Sequence, residues 1–317
     1  MNRHHACAVA GLAATFLLAW RPVVAIDLVR SPSDAFPAPI GVTPVDEPPI
    51  RTPDAADPTF EEEVMELVNL ERWINGQLPP LKQNDLLDAS SETHSNNMAV
   101  RNFVMHCDPD TGTLPWDRMI AAGYLYSSAG ENIAWGYPDP QAVVGGWMAS
   151  PSHRANILST TYRELGVGYV YQSGDQPNVR RSSVGGASCN PDIFGEGPFT
   201  RYWTQNFGKR NTVFPVVINR EAHLTESRDV ELYLYGGFSE MRMRNENGTW
   251  SAWQPFAADT SWQLSAGNGV KTVNVEMRIG ATVYGSFDTI TLEDTGEIVF
   301  IDGFESGDSS VWSAVVP

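Results

Sequence analysis

Four segments of helical period come first and two alternating segments follow. That order limits the fold more than any other feature of the chain. Asp57-Pro58 supplies a cap and a first-turn proline, and Phe60, Val64, Leu67, Val68 and Trp73 then fall near helical spacing until Gly76. After the turn at Pro79-Pro80-Leu81, Asn84 or Asp85 caps a second helix to about Val104, with Leu86, Leu87, Ser90, His94, Met98 and Phe103 near one side. Pro115 to Ala122, closed by Gly123, reads as a third helix, and Asp139-Pro140 opens a fourth that runs to Ser150. Leu165 to Tyr171 and Tyr202 to Phe207 read as strands, and Ser173 to Thr200 between them reads as a long hairpin loop. Helices followed by an antiparallel sheet make Pro58 to about Asn211 an α+β domain.

After Phe214 the texture changes. Short alternating runs recur at Val230–Tyr235, Glu240–Arg244, Val270–Ile279 and Thr282–Leu292, with turn signals at Asn247-Gly248 and Gly267-Asn268-Gly269. That spacing predicts a β-sandwich of about seven strands. At the other end, Met1 to Ala25 reads as a secretory signal: a polar start at Arg3, His4 and His5, an apolar run from Ala6 to Trp20, and small or modest residues at Val23-Val24-Ala25. Ile26 to Asp57 is proline-rich and lacks a sustained apolar period, as an extended linker does. The chain therefore divides into a signal segment (1–25), a linker (26–57), the α+β domain (58–212), the β-sandwich (213–293) and a tail (294–317). The tail, Phe300-Ile301-Asp302-Gly303-Phe304-Glu305-Ser306-Gly307-Asp308 and on to Trp312, is a docking peptide or a frayed end.

The formal net charge of −17 repels phosphate backbones and argues against nucleic acid as a partner. The three lysines, Lys82, Lys209 and Lys271, are scattered and form no membrane-binding patch, and no stretch of the mature chain has transmembrane length. Loss of the signal segment removes Cys7 and leaves Cys107 and Cys189, which in an exported chain predicts one disulfide. The expected location is outside the cytoplasm, whether periplasm, cell surface or medium.

Several ordered stretches carry a family likeness: Leu67-Val68-Asn69-Leu70-Glu71-Arg72, His94-Ser95-Asn96-Asn97-Met98-Ala99, Met105-His106, Arg118 with Ala122-Gly123-Tyr124, and Gly130-Glu131-Asn132-Ile133-Ala134. Trp147-Met148-Ala149-Ser150-Pro151-Ser152-His153-Arg154-Ala155-Asn156-Ile157-Leu158, Leu165-Gly166-Val167-Gly168 and Tyr202-Trp203-Thr204-Gln205-Asn206-Phe207-Gly208 complete the set. From Phe60 to about Gly208 the chain resembles the CAP superfamily of cysteine-rich secretory, antigen 5 and pathogenesis-related proteins, in its bacterial form. The resemblance implies a three-layer α-β-α sandwich with a large cleft on one side. The later segment, with Trp250-Ser251-Ala252-Trp253-Gln254-Pro255-Phe256 and Trp262-Gln263-Leu264 between its strands, resembles an Ig-like or fibronectin-type module of bacterial secreted proteins.

In many members of the superfamily the cleft holds two histidines and two glutamates able to bind a divalent metal. By the resemblance His106 is the first histidine, Glu131 the first glutamate and His153 the second histidine. The second glutamate's position holds Ser150. His106, Glu131 and His153 would make a three-ligand zinc site with an open position, and Ser150 would line the cleft beside them. A hydroxyl is a poor base at neutral pH, so the missing carboxylate weakens a hydrolase more than a binding protein. No catalytic residue is assigned; in a metal-assisted, peptidase-like hydrolase it would be Glu131. The leading expectation is non-enzymatic binding of an extracellular lipid, glycan, peptide or protein. An adhesive role for the sandwich is a third reading.

Simpler roles are open for the same residues. Glu131 would hold a turn before Ile133, His153 would cap the preceding helix, and His106 would face solvent beside the disulfide. A pairing of Ser150 with Ser152 is not expected, because near neighbours on a tight turn rarely face each other. His94 reads as a core or boundary residue, Trp147 as core, and Asn132, Arg154 and Asn156 as loop-bracing. Trp250, Trp253 and Trp262 would form a sugar platform or, by preference, belong to the sandwich core.

Overall fold

The computed structural model describes residues 28–30, 59–184, 186 and 188–294. The signal segment, most of the linker and the tail from residue 295 lie outside the described residues, together with the expectations made for them. The first part runs β1 (Leu28–Arg30), α1 (Phe60–Ile74), β2 (Lys82–Gln83), α2 (Asp85–Arg101), β3 (Phe103–Val104), α3 (Pro115–Ala121), β4 (Ser128–Trp135), α4 (Pro140–Ala149), α5 (Pro151–Ile157), β5 (Glu164–Tyr171), β6 (Val179–Arg181), β7 (Ile193–Glu196) and β8 (Arg201–Lys209). Helix starts follow the side-chain caps: Thr59 and Glu62 bond each other's backbone in a capping box, Asn84 accepts from Leu86 and Leu87, and Asp139 accepts from Ala142. The second helix ends at Arg101, short of the expected Val104, because Asn102 turns left-handed (φ 57°).

The central sheet has the order β1-β4-β8-β5-β2, antiparallel except for β2 on β5. Because strand side chains alternate, its two faces carry different layers. Trp203, Phe207, Leu165 and Val167 pack against Val64, Met65 and Val68 of α1 and Val143, Val144 and Trp147 of α4. Tyr202 and Ile133 on the other face pack with Met98 of α2. The result is the expected α-β-α sandwich. The small residues in β5 exist for the second layer: an added Cβ at Gly166 would lie 2.1 Å from the Leu87 carbonyl carbon, and at Gly168 2.3 Å from the Glu92 nitrogen. Ser91 and Ser95 of α2 use that closeness to donate to the carbonyls of Gly166 (3.1 Å) and Gly168 (2.9 Å). Gly166→Ala is expected to destabilise the chain by about 3 kcal/mol, since backbone and not a pliable side chain stands in the way. A urea midpoint within error of the native chain's would show that α2 can shift.

The stretch read as a hairpin loop carries β6 and β7, which join β3 in a small sheet, and Cys107–Cys189 is a disulfide that ties this stretch to the residue beside His106. Three residues of the linker, in β1, pair with β4.

The second part contains β9 (Val216–Ile218), β10 (Leu224–Thr225), β11 (Asp229–Leu234), β12 (Glu240–Asn245), β13 (Gln254–Pro255), β14 (Asp259–Gln263), β15 (Gly269–Ile279) and β16 (Thr282–Leu292). A sheet β10-β16-β15-β12-β13 faces a sheet β14-β11-β9 across a core of Val216, Val230, Leu232, Met241, Val273 and Ile290. This is the Ig-like sandwich. Trp262 packs on that core as expected. Trp250 and Trp253 do not: the guanidiniums of Arg242 (4.9 Å) and Arg244 (4.5 Å) lie over Trp250, and those of Arg242 (4.6 Å) and Arg278 (4.1 Å) over Trp253. Alternation explains it: Arg242 and Arg244 sit two apart on the outer face of β12, opposite the core positions Met241 and Met243. The two parts meet through Asn69 donating to the Arg220 carbonyl (2.9 Å) and the Tyr235 hydroxyl to the Pro80 carbonyl (2.9 Å).

Candidate functional site

Gly130 to Ala134 forms the middle of β4, so the simpler reading of a turn before Ile133 does not hold. Strand alternation then separates neighbours. Gly130, Asn132 and Ala134 point toward α4 and α5: an added Cβ at Gly130 would meet the Tyr162 hydroxyl at 2.5 Å, and Asn132 donates to the His153 carbonyl (3.2 Å). Glu131 points the other way, toward α2 and α3. The main chain of β4 is braced as well, its carbonyls at Ala129, Glu131 and Ile133 accepting from Tyr162 (3.2 Å), Asn156 (3.4 Å) and Trp147 (3.2 Å).

Glu131 is fully buried, and both of its oxygens are taken. Oε1 accepts from His106 Nδ1 at 2.8 Å. Oε2 accepts from Arg118 NH2 at 2.7 Å and, with the Asn206 amide turned to satisfy its own neighbours, from that amide at 3.0 Å. Arg118 also donates to the carbonyls of His106 (3.1 Å) and Thr113 (3.2 Å), so one guanidinium fixes both ends of the His106–Glu131 pair. His94 closes the cluster: its Nε2 lies 3.9 Å from Glu131 Oε1 and 2.9 Å from the Met105 carbonyl, to which it donates. Burial alone would raise the Glu131 carboxyl, but the Arg118 guanidinium, then His94 and His106, outweigh it and hold it down at about 2. Burial, with Arg118 second, depresses His94 to about 3, so its ring is neutral at ordinary pH.

These side chains do not line an open cleft. His106 is 1% exposed, Glu131 0% and His153 2%. His106 is not the solvent-facing residue of the simpler reading, and Glu131 clamps a buried network in place of a turn. His153 sits inside α5, on the layer that Asn132 faces, while Glu131 points to the opposite layer. The expected trio is therefore divided by the sheet. Among the described residues no three His, Cys, Asp or Glu side chains are placed to hold a metal ion. A cation on Glu131 would have to displace a hydrogen-bonded guanidinium, so the residues present do not fit the expected zinc. Ser150 stands at the N-cap position of α5 without a side-chain capping bond, and its hydroxyl lies 3.3 Å from that of Ser152, contrary to expectation, because the two positions straddle the helix start.

Sequence reasoning missed Arg118 and Asn206 as members of the cluster and gave His94 only the role of a core or boundary residue. The available signal was Arg118 itself, a charged residue next to Met119 on a short helix whose inward side is apolar. Arg72 was missed in the same way: it is wholly buried and donates to the carbonyls of Pro79 (2.8 Å), Ile157 (2.6 Å) and Ser159 (2.8 Å), closing the end of α5.

Residues 65–207 match the family model CAP, the cysteine-rich secretory protein family. Over 111 residues the chain is 42% identical to the uncharacterised protein YkwD of Bacillus subtilis (strain 168), covering 35% of this chain and 42% of that one. Over 123 residues it is 34% identical to the uncharacterised membrane protein YlbC of the same strain, covering 39% of this chain and 35% of that one. It is also similar to a solved extracellular protein containing an SCP domain from Bacillus anthracis str. Ames, at 26% identity and a TM-score of 0.37, covering 48% of this chain and 40% of that one. Each likeness thus spans less than half of the relative's length. Among the described residues no helix is long and apolar enough to cross a membrane.

Proposed function

We propose that this chain, whose residues 65–207 form a CAP domain, is an exported binding protein that takes an extended peptide along the edge of β4 and performs no catalysis there. The observation that carries this reading is the seat of β1. Leu28, Val29 and Arg30 lie antiparallel to Glu131, Gly130 and Ala129, so the strand holding Glu131 takes an extended segment from about a hundred residues away. Main-chain pairing at a sheet edge gives affinity without demanding one sequence, which suits a peptide better than a lipid or a glycan. Export is supported by the secretory pattern of Met1 to Ala25 and by the Cys107–Cys189 disulfide.

The hydrolase reading is disfavoured by Glu131. A general base works best with a pKa near the operating pH and with a free lone pair aimed at its proton, whereas this carboxylate is held at about 2 with both oxygens bonded. The test of the binding reading is the full chain carrying Leu28→Pro with Arg30→Pro, which strips both amide donors from β1. Titrated with a labelled peptide of residues 26–32, this variant should bind at least about tenfold more tightly than the native chain, whose β4 edge is already covered. Absence of binding to both chains, with folding verified by circular dichroism, would remove the peptide reading.

A further inference from the structure

Where the two parts of the chain meet, α1, β2, the turn before β10 and the ends of β15 and β16 enclose a cavity of about 170 Å³. Its polar wall is unusual in charge. Glu221 accepts from Lys82 and from the Gln83 amide (3.0 Å), and Lys82 also pairs with Asp288 (2.7 Å). Two buried carboxylates thus share one ammonium. Glu62 lines the same space, and Glu66 accepts from the ring and the main chain of His223 (2.6 and 2.9 Å). Negative charge is in excess.

Two buried atoms on this wall have no partner among the described residues: Glu221 Oε2 and His223 Nε2. The Glu221 side chain is only 8% exposed. Glu66 accepts from Nδ1 of His223, which fixes the ring at the rim of the cavity. The Glu221 orphan is a carboxylate oxygen and therefore an acceptor. Asn219, Arg220 and Glu221 are consecutive residues in the left-handed region (φ 43°, 60° and 67°), a conformation that arginine and glutamate adopt rarely. The remaining wall is mixed: Gln83, Thr289 and Thr291 are polar, while Met65 and Ile290 inside and Val270, 70% exposed, at the surface make an apolar strip.

We propose that this cavity is a binding site for an aliphatic primary amine, with the ammonium donating to Glu221 and the alkyl chain lying along Met65, Ile290 and Val270. An ammonium supplies a donor to the unpartnered carboxylate oxygen and a second positive charge where two carboxylates share one lysine. A bare metal ion is a poorer occupant, since no three suitable ligands are gathered there. Water alone satisfies the acceptor but not the charge. The group that competes with the amine is the proton. Burial first, with Asp288 second and Lys82 opposing, raises the Glu221 carboxyl to about 8. Lys82, Asp288, His223, Glu66 and Glu62 are the charged and titratable groups around it.

The test is calorimetric titration of the full chain with n-butylammonium chloride, using n-butanol as the uncharged control. Binding of the amine without binding of the alcohol is expected, strengthening as pH rises from 6 toward 8. Glu221→Gln should weaken it at least about tenfold and flatten the pH dependence. Val270→Trp, at an exposed position where folding is not at stake, should block it without touching the charges. Failure of the amine to bind, or equal binding by butanol or by both variants, overturns the proposal.

Discussion

Glu131→Gln is expected to lower the unfolding free energy at pH 7 by about 3–5 kcal/mol, the usual cost of removing one partner from a buried ion pair. Glutamine keeps the shape of the side chain but not its chemistry. Its amide oxygen can still accept from His106 Nδ1, while its NH2 group meets the donors of Arg118 and Asn206. A guanidinium is then buried without a counter-charge. The pH dependence identifies the cause. The carboxyl's folded pKa of about 2 lies below its ordinary 4.5, so its stabilisation is complete above 4.5 and is lost as pH falls through about 2. The buried neutral His94 acts over a higher range. The unfolded chain gains that proton near 6.5 and the folded chain only near 3, so stability also falls with pH across that interval. The native chain should lose stability in two overlapping steps on acidification, whereas Glu131→Gln should lose it only through the histidine step. Urea unfolding at pH 7, 5 and 3 separates them. A variant within about 1 kcal/mol of the native chain at pH 7 would mean that the network contributes no net stability, which buried pairs sometimes do not.

How much of this was legible depends on whether a residue's role is local or distant. Caps at Asn84 and Asp139 and prolines at Pro115 and Pro140 act within one turn, and the helices start there. The sandwich strands alternate so regularly that their inward positions, such as Met241, Met243, Val273 and Val275, could be read directly. Strand β4 stands where the simpler reading of Glu131 places a turn before Ile133; Gly130 and Asn132 have low strand propensity. Tertiary contacts override that here: the glycine makes room for Tyr162 and the asparagine reaches the His153 carbonyl. The division of His153 from Glu131 follows from this one missed strand. A turn can gather neighbouring side chains, but a strand sends Glu131 and Asn132 to opposite layers. Arg72, Arg118 and Asn206 depend on partners far along the chain, and no local pattern announces such pairings. Ser91 and Ser95 broke the apolar period of α2 because they bond to strand carbonyls across a glycine surface.

Joint replacement of Cys107 and Cys189 by alanine should produce the other large loss, about 4.5 kcal/mol on the chain-entropy account of cross-links. The bond spans 82 residues, so its removal frees a long loop in the unfolded chain. The folded chain should lose order locally first. On one side, β6 is still held to β3 by strand pairing, and Arg180 still pairs with Asp110 (2.6 Å) and donates to the Arg101 carbonyl (2.7 Å). On the other, the stretch around residue 189 keeps few anchors, the bonds from Ser183 to Asp192 and from Arg181 to Glu196 among them. Hydrogen exchange in the variant should therefore quicken between β6 and β7 before it quickens in β4 and β8. Dithiothreitol should shift the unfolding midpoint of the native chain toward that of the variant and leave the variant unmoved. Equal stability of the two chains under oxidising conditions would place the cross-link outside the folding energetics. It would also mean that the short β3–β6 pairing, and not the disulfide, holds this stretch beside His106.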